Sequence, residues 1–177
     1  MVSLAVPASH TVSLVTRDHP GVLVRIALVF ARRGYNIESL AVSPGAVDGF
    51  ARMTIVSRGD PGNVDQIVKQ LAKLVDVVFV TDHRGESPVE AEVALLKLRC
   101  STEGRQRALA TAAKHAARVL ADEPERLILV AEGTSRALDE LLDALSEHQL
   151  EELVRTGKIV MDRGGSHFAH LLGGARG

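Results

Sequence analysis

The stretch His10-Thr11-Val12-Ser13-Leu14-Val15-Thr16-Arg17-Asp18-His19-Pro20-Gly21 holds the reading on which the fold turns. Residues 10–16 alternate and are rich in β-branched side chains, which predicts a strand. Residues 17–21 interrupt it with Pro and Gly. Val22, Leu23, Ile26 and Phe30 then recur at helical spacing, which predicts a helix from about residue 20 to residue 33 with these four as its core stripe. A helix start exposes backbone N–H groups without intrahelical partners at the positive end of the helix dipole. Such a place attracts a small anion, for example a carboxylate. Gly21 lets a ligand come close to the backbone, and Pro20 gives up an N–H that the first turn does not need. The alternative is a plain cap, in which Asp18 accepts from the first N–H groups and nothing binds.

The helix carries a second apolar strip, Val24, Leu28 and Ala31, interrupted only by Arg25, Arg32 and Arg33. A helix apolar on nearly every side is covered on more than one side, by a second chain or a second domain. The alternative is surface aliphatics of no consequence. Residues 35–43 form the next strand, with Ile37, Leu40 and Val42 as its apolar positions. The turn at 44–49 leads to a strand at 50–57, a hairpin pattern. After a turn at 59–63, with Asn63 as a possible cap, Val64, Ile67, Val68, Leu71, Leu74 and Val75 mark an amphipathic helix. Residues 76–82 are a fourth strand. The order βαββαβ with right-handed crossovers gives an antiparallel four-stranded sheet with two helices on one face, the ferredoxin-like arrangement.

The polar run 83–88 reads as a linker. Beyond it come a strand at 92–99 and an Ala-rich helix at 103–117 carrying Leu109, Ala112, Ala113 and Ala116. Short strands follow at 118–121 and 126–131. Thr134 or Ser135 then caps a helix with Leu138, Leu141, Leu142 and Leu145 inside, and residues 153–161 form a last strand or a hairpin around Arg155-Thr156-Gly157-Lys158. This is a second βαββαβ of similar length. The expected architecture is α+β, two ferredoxin-like domains in tandem over residues 8–84 and 90–163, with a flexible Gly-rich tail at 164–177.

Bulk properties narrow the function. Apolar content of 46% and charged content of 24% are those of a globular protein. A net charge of −1 exerts no general pull on nucleic acid or anionic membrane. Cys100 is the single cysteine, which excludes an internal disulfide and fits a reducing compartment. The first residues lack the pattern of a signal peptide, and no apolar run reaches the ~20 residues that span a bilayer. The expected location is therefore cytoplasmic. No phosphate-cradling glycine motif follows a strand. Of seven histidines only His167 and His170 are closely spaced, without further ligands nearby, so no metal site is expected. Asp139, Glu140 and Asp143 read as a solvated helix face. Ser13 and Cys100 have no nearby base to activate them, and no catalytic residue set emerges.

At four places the sequence resembles a known family. Asp18-His19-Pro20-Gly21-Val22-Leu23, Arg32-Arg33-Gly34-Tyr35-Asn36-Ile37-Glu38-Ser39-Leu40, Arg52-Met53-Thr54-Ile55 and Lys69-Gln70-Leu71-Ala72-Lys73-Leu74-Val75-Asp76-Val77 are similar to the regulatory (small) subunits of acetolactate synthase, also called acetohydroxyacid synthase. The resemblance covers residues 10 to about 163 and is strongest through residue 83. It implies that the first domain is an ACT domain, a small-molecule-sensing module that pairs with a second copy. It implies a non-catalytic chain that activates a large catalytic subunit and confers feedback inhibition, typically by valine, in branched-chain amino-acid synthesis. Thiamine diphosphate, FAD and Mg2+ would belong to that large subunit and none to this chain. The effector would lie between two ACT domains, with Asp18, His19, Pro20, Gly21, Val22 and Leu23 of one chain facing Asn36 and Ile37 of the other.

The chemistry of these residues suits an amino acid. Backbone N–H groups near Gly21, Val22 and Leu23 can take a carboxylate. Asp18 or the Asn36 amide oxygen can take an ammonium group, and Leu23 and Ile37 can line a branched side chain. Two other readings stand beside this one. A free-standing amino-acid sensor would act on a transcription or transport partner, but no helix-turn-helix pattern is present. An RNA-binding module of the same βαββαβ order needs aromatics on its two central strands, where residues 10–16 have none and 50–57 have one, at the edge.

Overall fold

The computed structural model describes residues 8–59 and 61–163. The chain forms two compact units, one of Met1–Val89 with Val160–Gly177 and the other of Glu90–Ile159. The expected features at residues 1–7, at Asp60 and in the tail 164–177, His167 and His170 included, lie outside the described residues.

In the first unit the order is β1 (Ala8–Arg17), α1 (Val22–Ala31), β2 (Asn36–Pro44), β3 (Phe50–Gly59), α2 (Pro61–Leu71) and β4 (Val77–Asp82). The strands form an antiparallel sheet in the order β2-β3-β1-β4. Register explains the core. Val12 stands opposite Ile55 and Leu14 opposite Met53, so these four share one face. Val22, Ile26 and Phe30, one turn apart on α1, and Val64, Ile67 and Leu71 on α2 complete the same buried cluster.

Two apolar positions differ from the periodicity. Leu23 is 41% exposed rather than part of the core stripe, because Val22, Ile26 and Phe30 already fill the face that meets the sheet. Val75 is 89% exposed because α2 ends at Leu71, and the periodic pattern runs on past the last turn. The second strip of α1 lies open, Val24 at 62% exposed.

Gly34 closes α1. Its φ of +71° belongs to the left-handed region that glycine tolerates, and it lets the Tyr35 N–H turn back to the Phe30 carbonyl at 3.0 Å. The buried Tyr35 ring in turn lies over Gly59, where an added Cβ would come within 2.0 Å of it.

The opposite face of the sheet presents Ser13, Val15, Thr54 and Val56, all buried and none aromatic. The one aromatic on this face of the two central strands is Phe50, at the end of β3, and a lone ring there does not make the stacking platform of an RNA-binding module.

The second unit repeats the plan with β5 (Val89–Arg99), α3 (Thr102–Lys114), β6 (Arg118–Glu123), β7 (Arg126–Gly133), α4 (Ser135–Ala144) and β8 (Gln149–Arg155). Its sheet order β6-β7-β5-β8 is the first unit's order in corresponding strands. Ala94 opposes Ala131, Leu96 opposes Leu129 and Leu98 opposes Leu127, forming the floor for Ala108, Ala112, Leu138 and Leu141. Gly104, Ala108 and Ala112 are the buried line of α3. The predicted Ala113 and Ala116 are not on it, and Ala116 lies past the helix end with φ +56°. Thr134, the first of the two candidates, is the cap of α4: its side chain accepts from the Ala137 N–H at 3.1 Å.

The terminal hairpin does not form. β8 pairs with β5, and β9 (Ile159–Met161) also pairs with β5 rather than with β8. Arg155 is drawn into the unit instead. It grips Glu92 with two hydrogen bonds of 2.8 Å and Asp139 at 2.6 Å, while the Ser135 hydroxyl donates to Glu92 at 2.8 Å. Asp139 is thus an ion-pair partner rather than merely a solvated face.

Among the described residues no helix is long and apolar enough to cross a membrane.

Candidate functional site

The loop between β1 and α1 is held by its backbone. The Arg17 N–H donates to the Asp76 carbonyl and the Asp18 N–H to the Gly49 carbonyl, both at 2.8 Å. Gly21 then takes φ +90° and ψ −11° as the residue preceding α1. An L-residue with a side chain is strained there, which accounts for the glycine.

No side chain caps α1, so Asp18 does not play the capping role that the plain reading assigns to it. The corresponding helix of the second unit behaves differently. The Ser101 side chain accepts from the Gly104 N–H at 3.1 Å and closes the start of α3. In the first unit the start of α1 has no acidic residue in its first turn and no hydroxyl over it.

Charge beside this helix start is arranged from far along the chain. The Asp76 carboxylate receives Arg25 through Nε at 2.9 Å and Nη2 at 2.5 Å, and it stands 2.8 Å from His19 Nε2. Partial burial works against its ionisation, but the hydrogen bonds and charge of Arg25 and His19 prevail and hold the carboxyl below its ordinary value. The Arg25 guanidinium is a close neighbour of Gly21, with Nη1 3.4 Å from where a Cβ would stand. His19 Nδ1 faces the Pro20 carbonyl at 3.2 Å, so the imidazole is tied at both ends rather than free to meet a ligand. Asp76 and Arg25 have no local signal pairing them, being 51 residues apart.

Of the predicted site residues, Asp18, His19, Pro20, Gly21 and Leu23 are exposed at the loop, while Val22 is buried in the core. Asn36 is exposed at the start of β2, and Ile37 is half-buried and packs partly on its own core. Within one chain these two groups lie apart. Arg17 pairs with Phe50 at one end of β3, whereas Asn36 pairs with Arg58, level with Ser9, at the other. Eight residues of β3 separate the two levels, about 27 Å at ~3.4 Å per residue. Neither group is near the other without a second copy of the chain.

One expectation about chemistry changes. Ser13 does have a base in reach, since its Oγ lies 2.8 Å from His83 Nε2, 70 residues away in sequence. Ser13 sits in the middle of a central strand and is only 4% exposed, so no substrate reaches it.

Comparison with known proteins agrees with this two-unit plan. The family described as "AHAS small subunit-like ACT domain" matches residues 12–79, and "Small subunit of acetolactate synthase" matches residues 91–164. A probable acetolactate synthase small subunit from Methanothermobacter thermautotrophicus is 36% identical over 159 residues, 89% of this chain and 95% of that protein. The acetolactate synthase small subunit of Mycobacterium bovis is 36% identical over 158 residues, 89% of this chain and 94% of that protein. The crystal structure of the acetolactate synthase small subunit from Thermotoga maritima superposes with a TM-score of 0.80 at 34% identity, covering 90% of this chain and 99% of that one. With the fold, both halves of the chain and nearly the full length of these relatives in agreement, the chain belongs to the acetolactate synthase small-subunit family, with an ACT domain as its first unit.

Proposed function

We propose that this chain is the regulatory subunit of acetolactate synthase, activating a large catalytic subunit and conferring feedback inhibition by valine. On this reading residues 8–84 bind the effector and dimerise, and residues 90–163 form a second, ferredoxin-like domain. Thiamine diphosphate, FAD and Mg2+ are then held by the large subunit, in the cytoplasm, and the active site is there.

The observation that carries the reading is the division of the site between the two ends of one sheet. β2 is an edge strand, paired only with β3 among the described residues. Two copies joined antiparallel along β2 bring the Asn36 end of one strand level with the Pro44 end of the other. Pro44 pairs with Ala51, which pairs with Thr16, one residue before the loop strand ends. The β1–α1 loop of one copy and Asn36 of the partner then meet at the same end of the joined sheet.

The open start of α1 offers its N–H groups from Leu23 onward to a carboxylate, the Val22 N–H already being directed at the His19 carbonyl at 3.5 Å. Asn36 supplies an amide able to accept from the ammonium group or donate to the carboxylate, and Asp18 supplies a second acceptor. Exposed Leu23 gives the isopropyl group an apolar contact. Because the ligand touches two chains, it favours one arrangement of the pair, and a coupling of ~1–3 kcal/mol is enough for useful inhibition.

The test is acetolactate formation by the cognate large subunit alone, with this chain, and with this chain plus valine. Stimulation followed by inhibition is expected. Stimulation that valine leaves untouched would remove the effector assignment, and no stimulation by a folded chain would remove the regulatory one.

A further inference from the structure

Among the described residues, one group of a histidine and two carboxylates converges outside the proposed effector site. His83 follows β4, and its side chain is 2% exposed. Its Nε2 lies 2.8 Å from Ser13 Oγ on β1. Its Nδ1 faces Glu86 Oε2 and Asp162 Oδ1, each at 3.3 Å. All four residues belong to the first unit. Two further hydrogen bonds hold the neighbouring segments independently of these contacts. The His83 N–H donates to the Thr11 carbonyl at 3.0 Å, and Arg163 Nε donates to the Ser87 carbonyl at 2.8 Å.

The spacing is wider than that of a tight charge-assisted bond. A charge-assisted N–H···O bond is about 2.7–2.9 Å long, and both distances here exceed that. Two ligands of one tetrahedral ion with bonds of about 2.0–2.2 Å stand about 3.4 Å apart, close to the separations seen. The imidazole is also oriented for the task. When Nε2–H is donated to Ser13 Oγ, 2.8 Å away, Nδ1 turns a lone pair toward two anionic groups, an arrangement that a cation between them relieves.

We propose that His83 Nδ1, Glu86 and Asp162 bind one divalent transition-metal ion of the Zn2+ class, with Ser13 holding the imidazole in the ligating tautomer. One imidazole and two carboxylates suit Zn2+ or Mn2+, and three protein ligands leave a position for water. The ion ties the segment after β4 to the chain after β9. The Ser–His–carboxylate order also resembles a nucleophile relay, but burial of Ser13 restricts it to orienting the ring.

The test uses the full chain carrying His167→Gln and His170→Gln, because two histidines three residues apart can take Zn2+ by themselves. The protein is stripped with a chelator and titrated with ZnCl2 by calorimetry, with circular dichroism confirming the fold. One ion per chain and a rise in melting temperature are expected. Glu86→Gln and Asp162→Asn, both at partly exposed ligands, should each abolish the binding, and Ser13→Ala should weaken it by about 10–100-fold. The absence of Zn2+ uptake by the parent would overturn the site. So would unchanged uptake by the Glu86→Gln/Asp162→Asn double variant.

Discussion

Gly21 and Asn36 are the residues at which effector binding and folding can be separated. At φ +90°, any L-residue at position 21 costs about 1–2 kcal/mol of backbone strain. Gly21→Asp adds a carboxylate where the ligand's carboxylate should sit, beside Arg25. Valine inhibition should vanish while stimulation of the large subunit persists, and inhibition at unchanged valine affinity would refute the placement. Asn36→His should desensitise the enzyme and leave activation largely intact. Loss of activation instead would assign Asn36 to assembly. The sequence made the loop legible because Pro and Gly punctuate a strand-to-helix passage and leave a recognisable local trace. It could not reveal Asp76, His19 and Arg25 as one cluster, nor Ser13 beside His83, since those pairings span 51 to 70 residues and have no periodicity.

Individual elements make their own tests. Glu92 lies nearly buried under Arg155. Desolvation opposes its ionisation, but hydrogen bonds from Arg155 and Ser135 outweigh it, so its folded pKa is depressed. A carboxylate of this kind contributes stability that is complete above its unfolded value and disappears as pH falls through the folded one. Melting temperature against pH should therefore drop in acid for the native chain. Glu92→Gln should be less stable at neutral pH and show a shallower acid limb, and identical acid limbs would deny Glu92 this role. At the end of β3, Gly59→Ala drives a methyl into the Tyr35 ring and should cost about 1–3 kcal/mol, read from denaturant unfolding. Strand and helix identities followed from periods of two and 3.6, which are local. What escaped were endings and partners. Val75 continues the helical period after α2 has stopped, and β8 and β9 choose β5 over each other for reasons that lie some 55 residues upstream.

For the whole molecule, the decisive property is an edge of sheet beside an apolar strip. Val42 is exposed on β2, and Val24 and Leu28 are exposed on α1. A charge on an edge strand discourages strand addition. Val42→Glu should thus shift the protein from dimer toward monomer in analytical ultracentrifugation and abolish valine inhibition with it, while a dimer unaffected by the change would place the interface elsewhere. The uncapped start of α1 has one more consequence, a thermodynamic one. A ligand that completes this helix terminus binds the folded chain and not the unfolded one, so ligand concentration must move the folding equilibrium. Free effector at 100 times its dissociation constant raises stability by about 2.7 kcal/mol. Melting curves with valine, leucine and isoleucine would then rank the three by affinity on the small subunit alone, in the absence of any catalysis.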